Sequence, residues 1–214
     1  MSKAYVVMGE SGSGKTTAMR TLNPDETYYI DCDGKGLSWK GWREQYNADR
    51  KNYFRSDDQY KIIARMQDIS DKCPKIHNIV IDTINSIMVA DERRRLNEKT
   101  YDKWSDLAWS VYDICVAASK LRDDLNVIVL AHTQTEVDEN TGERFTRILT
   151  NGKKLNKIGL EKYFTTVLLT KATENGFVFE TRANRSTAKT PYGAFETTEI
   201  PNDMQAVLDA LKDY

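Results

Sequence analysis

One short segment near the beginning of the sequence constrains the fold more than any other. The apolar run Ala4–Met8 is followed at once by the pattern Gly9-x4-Gly14-Lys15-Thr16, and a helical pattern continues over Thr16–Leu22. A strand, a glycine-rich turn and a helix in this order are typical of a phosphate-binding loop. Because ligands of open α/β sheets bind where the strands end, the segment predicts an α/β fold with a triphosphate site at that edge.

The residue types of the loop assign a role to each position. Glycines let the backbone curl until successive N–H groups point at phosphate oxygens from a helix N-terminus. We expect Lys15 to reach the β- and γ-phosphates, Thr16 to offer its hydroxyl to Mg²⁺, and Thr17 to begin a helix whose dipole faces the same anion. With ATP and Mg²⁺ as ligands, the predicted binding residues are Gly9, Glu10, Ser11, Gly12, Ser13, Gly14, Lys15, Thr16 and Thr17. A glycine-rich turn that matches the pattern by coincidence is the alternative.

The composition is that of an ordinary globular domain, and we expect residues 1–214 to form one. The chain is 40% hydrophobic and 29% charged, and its net charge of −1 gives no overall attraction for nucleic acid. Any nucleic-acid site must therefore be local. The three cysteines and two histidines lack the spacing of a disulfide framework or a zinc site. We expect a cytoplasmic protein without a membrane span.

Short apolar runs alternate with amphipathic stretches, which predicts a mostly parallel sheet flanked by helices. The predicted strands are Ala4–Met8, Tyr28–Asp31, Ile76–Ile81, Val127–Ala131 and Phe164–Thr170. The predicted helices are Thr16–Leu22, Gln59–Lys72, Lys103–Asp124, Asn151–Glu161 and, capped by Asp203, Met204–Lys212. Near the C-terminus the turn Thr173–Gly176 joins Val167–Ala172 to Phe177–Arg182, which predicts an antiparallel hairpin at one edge.

Polar residues at the predicted strand ends complete the candidate site. Asp82 ends the third strand and is the candidate magnesium carboxylate, although an Asp in this position can also cap a helix. Asp31 and Asp33 stand at alternate positions after the second strand, so one of the two is a candidate to activate water. His132 and Gln134 follow the fourth strand, where a polar side chain can contact the γ-phosphate. A semi-buried structural histidine is the alternative for His132, which makes Gln134 the preferred sensor.

These features together resemble the RecA core over nearly the whole chain. The resemblance rests on the phosphate-binding loop, the Asp-x-Asp, Val80-Ile81-Asp82-Thr83, the polar sensor, and Arg182-x-Asn184-Arg185 before Pro191. Size and the loop sequence most resemble small phage RecA-like ATPases that work with single-strand annealing proteins. The resemblance implies a RecA-like P-loop NTPase core that hydrolyses ATP, in the host cytoplasm if the protein is phage-encoded. In that family a Glu activates water, and the matching position here is Asp33, a shorter acid.

The resemblance also implies contacts with single-stranded DNA and with other protein subunits. Two basic segments, Asp91–Lys103 and Glu136–Lys157, are candidate DNA-facing loops, although a run of charges is usually only a solvated face. The predicted DNA-binding residues lie in the second segment and are Arg144, Phe145, Arg147, Lys153 and Lys154. Arg182, Arg185 and Lys189 match a segment that RecA proteins insert into a neighbouring subunit's ATP site, which implies a homo-oligomer. A single-strand annealing or single-strand binding protein is the implied partner.

Two other classes of protein use the same loop. A small-molecule or nucleotide kinase normally needs an arginine-rich lid and an acceptor pocket between helices, and the C-terminal hairpin disfavours it. A nucleotide-gated scaffold would bind ATP without turnover. Phosphate release measured with single-stranded DNA and with a panel of nucleosides and monophosphates distinguishes these two classes from a DNA-stimulated ATPase.

Overall fold

The computed structural model describes residues 1–98, 102–137, 141–150 and 159–214. Within these residues the strands are β1 (Lys3–Gly9), β2 (Thr27–Asp31), β3 (Tyr53–Arg55), β4 (Asn78–Asp82), β5 (Asn126–Val137), β6 (Arg144–Ile148), β7 (Thr166–Thr173), β8 (Gly176–Glu180) and β9 (Glu199–Pro201). The helices are α1 (Lys15–Ala18), α2 (Trp42–Gln45), α3 (Gln59–Lys72), α4 (Ile84–Arg94), α5 (Asp102–Ala118) and α6 (Met204–Ala210).

The strand order of the central sheet determines where the site lies. The order is β3-β2-β4-β5-β1-β7-β8-β9, with β6 paired to the outer half of β5. The first six of these strands run parallel, whereas β8, β9 and β6 pair in antiparallel fashion. The ends of β1, β4 and β5 therefore open at the same edge, with β5 between β1 and β4. The predicted fold class, a mostly parallel α/β sheet with antiparallel C-terminal strands, is confirmed.

Both faces of the sheet are buried, which explains the nearly continuous apolar runs in its central strands. Alternate residues face opposite layers. Val6 and Met8 pack with the layer that contains α3, α4 and α5, whereas Tyr5 and Val7 pack with the layer that contains α1 and α6. The Asp203 carboxylate accepts a hydrogen bond from Ala206 N (3.0 Å), which confirms the predicted cap of α6.

Some predicted elements have different bounds in the structure. The predicted helix Thr16–Leu22 ends at Ala18 and continues only as a 3₁₀ turn, because Pro24 follows closely and disfavours a helical conformation before it. The predicted helix Lys103–Asp124 ends at Ala118, whose carbonyl accepts a hydrogen bond from Ser2 Oγ (2.7 Å).

Two predicted strands and one further predicted helix also have different bounds. The predicted strand Ile76–Ile81 is Asn78–Asp82, and Phe164–Thr170 is Thr166–Thr173, because Phe164 N closes a 3₁₀ turn over Leu160–Tyr163. Only the end of the predicted helix Asn151–Glu161 falls within the described residues, and it belongs to that turn.

The largest difference lies after the fourth predicted strand, which continues to Val137 instead of ending at Ala131. The described part of the predicted loop Glu136–Lys157 is β6, which pairs with β5 as an antiparallel ribbon. Three of the five residues of β6 are polar, and only Ile148 is buried in the core, so no apolar pattern reveals the strand. The short elements α2, β3 and β9 were not predicted, because runs of three or four residues are too short to show a periodic pattern. No helix in the described ranges is long and apolar enough to span a membrane.

Candidate functional site

The turn between β1 and α1 is built on close backbone approaches that only glycine allows. Gly14 precedes α1 with a φ of 100°, and a Cβ on it would lie 2.6 Å from Phe177 Cγ. A Cβ on Gly9 would lie 2.2 Å from Thr170 Oγ1 and 2.4 Å from Ser13 Oγ. The two hydroxyls are themselves hydrogen-bonded at 2.5 Å. Because Gly9 and Gly14 lack side chains, the loop can curl tightly and direct its backbone N–H groups inwards, as a phosphate-binding loop requires.

Lys15 lies buried inside this curl. Its Nζ donates to Gly9 O (2.9 Å) and Glu10 O (2.7 Å) and lies 3.3 Å from His132 Nδ1. Burial lowers the pKa of Lys15 to about 8, although the negative charge of Asp82 opposes this effect. The ammonium group is thus held by neutral carbonyls at the position where an anionic phosphate would stabilise it more strongly.

Asp82, Thr16 and Tyr29 form the second part of the site. The buried Asp82 Oδ2 accepts hydrogen bonds from Thr16 Oγ1 (2.8 Å) and Tyr29 OH (2.6 Å). Its Oδ1 is also buried and has no hydrogen-bond partner in the described part of the chain. Burial raises the pKa of Asp82, and the two hydrogen bonds counteract that effect.

This set of donors fits a magnesium ion. An unpartnered buried carboxylate oxygen is costly unless something neutralises it, and Mg²⁺ prefers carboxylate and hydroxyl oxygens. Thr16 and Asp82, the residues that the sequence predicts as metal ligands, are in direct contact. The sequence does not reveal Tyr29 as part of the site, because a tyrosine inside a strand is indistinguishable from an ordinary core residue.

The two carboxylates after β2 have different surroundings. Asp31 is buried and accepts hydrogen bonds from Gly34 N (2.7 Å), Gly36 N (3.0 Å) and Tyr53 OH (2.5 Å), so it shapes the turn that follows. Asp33 instead pairs with Lys35 Nζ at 2.5 Å. Burial alone would raise the pKa of Asp33, but the bonds to Lys35 hold it below its ordinary value.

Asp33 is therefore the ionised acid that remains near the centre of the site. Its negative charge raises the pKa values of both Lys15 and His132, which places it within electrostatic range of them. Its predicted role in activating water stays a prediction. Lys35, which sequence reasoning did not single out, adds a positive charge beside it. Burial alone would lower the pKa of Lys35, but its bond to Asp33 and the negative charges of Asp82, Asp33 and Asp31 together raise it.

Of the two predicted sensors, His132 is the one in contact with Lys15. Its backbone N donates to Asn85 Oδ1 (2.6 Å), and Asn85 Nδ2 donates to Leu149 O (2.7 Å), so this buried asparagine holds the site end of β5. Burial and the charge of Lys15 lower the pKa of His132. Gln134 Nε2 donates to Glu136 Oε1 (3.0 Å), farther out along the ribbon. The sensor role of Gln134 stays a prediction.

The described DNA-binding candidates lie on the ribbon rather than in a loop. Arg144 and Phe145 are exposed, and Arg147 is half-buried with Nη1 at 3.7 Å from Glu136 Oε2. Lys153 and Lys154 lie outside the described residues. In the other basic segment, Arg94 forms an ion pair with Asp57, and Arg95 Nη2 lies 2.7 Å from Glu98 Oε2 and 2.9 Å from Asp106 Oδ2. Two arginines of this segment, Arg94 and Arg95, are thus already in ion pairs with carboxylates.

The candidate trans-acting cations follow β8. Arg182 was predicted inside this strand, but the strand ends at Glu180, and the last bond in its register with β9 is the one that Thr181 N donates to Thr198 O at 2.9 Å. Arg182 Nη2 donates to Phe195 O (2.7 Å), and Arg185 Nη2 lies 3.7 Å from Glu143 Oε1. Neither contact involves the phosphate-binding loop. Lys189 pairs through its backbone with Val167.

Comparison with known proteins agrees with this geometry. The family model described as "AAA domain" matches residues 1–192, which include the phosphate-binding loop, Asp82, His132 and the C-terminal hairpin. No curated protein matches the sequence. Because the match covers most of the chain, the chain belongs to the AAA domain family and is a nucleotide-binding domain of the P-loop ATPase type.

Proposed function

We propose that this protein hydrolyses ATP with Mg²⁺ and that the bound nucleotide, ATP or ADP, controls its affinity for single-stranded DNA. This activity would support phage recombination or single-strand annealing. The observation that carries the proposal is the course of β5. This strand begins in the core, contacts the nucleotide site at His132, and continues without interruption into the exposed ribbon at Val137.

The residues of the site suit ATP hydrolysis. Lys15 would bind the terminal phosphates, and Thr16 and Asp82 would hold Mg²⁺, which neutralises charge developing on the phosphates when it is bound. Lys35 lowers the pKa of Asp33, which keeps this carboxylate ionised and able to accept a hydrogen bond from the attacking water and orient it. Lys15 would thus bind the terminal phosphate, and Asp33 would position the water that attacks it.

The face of the ribbon that continues from His132 carries two of the residues proposed to contact DNA, Phe145 and Arg147, whereas Arg144 lies on the other face, opposite Val137. In the β5–β6 pairing, Gln134 is opposite Arg147 and Glu136 is opposite Phe145. Because side chains alternate along a strand, these four share the face of β5 on which His132 lies. A change in the contacts of His132 on nucleotide binding can therefore shift β5 and, with it, the side chains of this face.

The chemistry of the ribbon suits single strands without sequence preference. Arginines can neutralise phosphates, and an exposed aromatic ring offers a stacking surface to any base. Phe145 is 42% exposed on a strand whose neighbours are polar, and core packing does not account for that exposure. Carboxylates already pair with Arg94 and Arg95 of the Asp91–Lys103 segment, whereas Phe145 gives the ribbon an exposed aromatic ring, so the ribbon is the better candidate.

The proposal includes assembly with further copies of the chain. Arg182 and Arg185 are exposed, and their contacts lie away from Lys15, so they are available to a neighbouring subunit's site rather than to their own. Lys189 is a third candidate for this role. A cation supplied in trans can accelerate hydrolysis by about 10³ to 10⁵. The resemblance to phage ATPases supports a single-strand annealing or single-strand binding protein as the partner.

The proposal is tested by measuring single-stranded DNA affinity against salt, with a slowly hydrolysed ATP analogue and with ADP. We expect tighter binding with the analogue. Replacing Arg147 with Ala should reduce the log–log salt slope by roughly one unit, and Phe145→Ala should weaken binding while keeping the slope. Lys40→Ala is the charge-matched control, since Lys40 is exposed in another loop. Equal affinity in both nucleotide states would contradict the proposal.

One observation favours a kinase as a second candidate. A cavity of about 690 Å³ lies beside the site, and its lining includes Asp33, Asn85, Val89, Arg93 and His132. Such a cavity could hold a phosphate acceptor. Formation of ADP that rises with a nucleoside or monophosphate but not with DNA, without matching release of inorganic phosphate, would favour the kinase. Nucleotide binding with no turnover under either condition would favour a scaffold.

A further inference from the structure

An aromatic ring from the C-terminal hairpin packs directly on the phosphate-binding loop. Phe177 lies so close to Gly14 that a Cβ on this glycine would approach three atoms of Phe177 to 2.6–2.9 Å. The side chain is nevertheless 37% exposed. In the described part of the chain, it has no ring–ring or cation–ring contact.

The hairpin holds this ring in a defined place. Thr173 pairs with Gly176 across the turn, and Thr173 Oγ1 donates to Gly176 O (2.9 Å). Phe179, two residues along β8, is fully buried in the layer that contains α1. Because side chains alternate along a strand, Phe177 projects on the same side, beyond the edge of the core and over the beginning of α1.

The strand order places this ring on the side of β1 away from Asp82 and His132. Asp82 and His132 lie on β4 and β5, which are on one side of β1. The β7–β8 hairpin lies on the other side. A triphosphate whose terminal phosphate meets Lys15 and Asp82 therefore extends its nucleoside towards the hairpin. The loop contacts the hairpin at two places, through Ser13 on Thr170 of β7 and at Gly14, where the ring is found.

We propose that Phe177 is the platform on which the base of a purine nucleotide stacks. This inference rests on the proposed function, because it requires the triphosphate site. A planar ring with a partly exposed surface binds the face of a base through stacking, which does not read hydrogen-bonding edges. The subsite therefore adds affinity for the nucleoside and discriminates little between ATP and GTP.

The test compares the affinities of Mg·ATP and Mg·tripolyphosphate, measured by calorimetry, for wild-type protein and three variants. Phe177→Ala should weaken ATP binding about tenfold, within the range for loss of a base–aromatic stack, and leave tripolyphosphate binding unchanged. Phe177→Trp should keep wild-type affinity for ATP. Tyr60→Ala is the control, since Tyr60 is exposed on α3, on the opposite face of the sheet.

Each other outcome overturns the inference in a recognisable way. Equal weakening of both ligands by Phe177→Ala would show that the ring only supports the loop. Unchanged ATP affinity in that variant would place the base elsewhere. Wild-type protein that binds tripolyphosphate as tightly as ATP would exclude any base subsite while leaving the triphosphate site intact. Binding of neither ligand would contradict the proposed function itself.

Discussion

The hydroxyl of Tyr29 should stabilise both the fold and the metal site. Tyr29 is fully buried in β2, and its hydroxyl donates to Asp82 Oδ2 at 2.6 Å. Tyr29→Phe removes this oxygen and keeps the ring, which packs against Tyr46 at a centroid distance of 5.5 Å. A hydrogen bond to a charged group contributes roughly 1.5–3 kcal/mol. We expect the free energy of unfolding in urea to fall by about 2 kcal/mol.

A double-mutant cycle with Asp82→Asn isolates this interaction. In the Asn background the tyrosine bonds only to a neutral amide, a bond that contributes about 1 kcal/mol, so the coupling energy should be about 1 kcal/mol. Tyr5→Phe is the matched control. Tyr5 OH donates to Asn126 Oδ1 (3.3 Å), at the other end of the sheet, and its effect should add to that of Asp82→Asn. A coupling energy near zero for Tyr29 would refute the reasoning.

The same variant should alter magnesium binding. Burial raises the pKa of Asp82, and the Tyr29 hydrogen bond opposes that rise. Removing the bond raises this pKa further, so Asp82 binds a proton more readily as pH falls. Mg²⁺-dependent nucleotide binding by Tyr29→Phe should therefore be lost at a higher pH than in the wild type. A wild-type pH profile would show that the hydroxyl does not act through Asp82.

Two further substitutions test the loop and the assembly. Gly9→Ala should destabilise the protein by roughly 1–3 kcal/mol in urea unfolding, because its Cβ meets Thr170 Oγ1, and adding Thr170→Ala should restore part of the loss. If the double variant were no more stable than Gly9→Ala, the steric account would be wrong. Mixing Lys15→Ala with Arg185→Ala subunits should restore part of the DNA-stimulated turnover that each lacks, and an assembled mixture without recovery would exclude Arg185 as a trans-acting residue.

The parts of the fold that could be predicted from sequence are those with a local signature. The strand, loop and helix at Ala4–Leu22 follow from glycine spacing and apolar pattern, and Asp82 follows from a carboxylate at the end of an apolar run. The helix Gln59–Lys72 has its predicted bounds in the structure, because Asp58 caps it and Cys73 and Pro74 end it. Such signals need no knowledge of distant residues.

The missed features depend on contacts between distant segments. Tyr29 contacts Asp82 across 53 residues of sequence. Asn85 contacts His132 on β5 and Leu149 just after β6. Nothing in the local sequence distinguishes Tyr29 or Asn85 from an ordinary core residue. The β5–β6 ribbon has polar residues on both faces, so its alternation carries no hydrophobic signal. Predicting a loop there was wrong for that reason.

The central claim is that the site formed by Lys15, Thr16 and Asp82 hydrolyses ATP in response to single-stranded DNA. The most direct measurement is phosphate release from ATP, with and without Mg²⁺ and single-stranded DNA, by wild-type protein and by folded Asp82→Asn. The account predicts Mg²⁺-dependent release that rises with DNA in the wild type and is lost in the variant. Equal phosphate release by the two proteins, or phosphate release that depends on neither Mg²⁺ nor DNA, would contradict it.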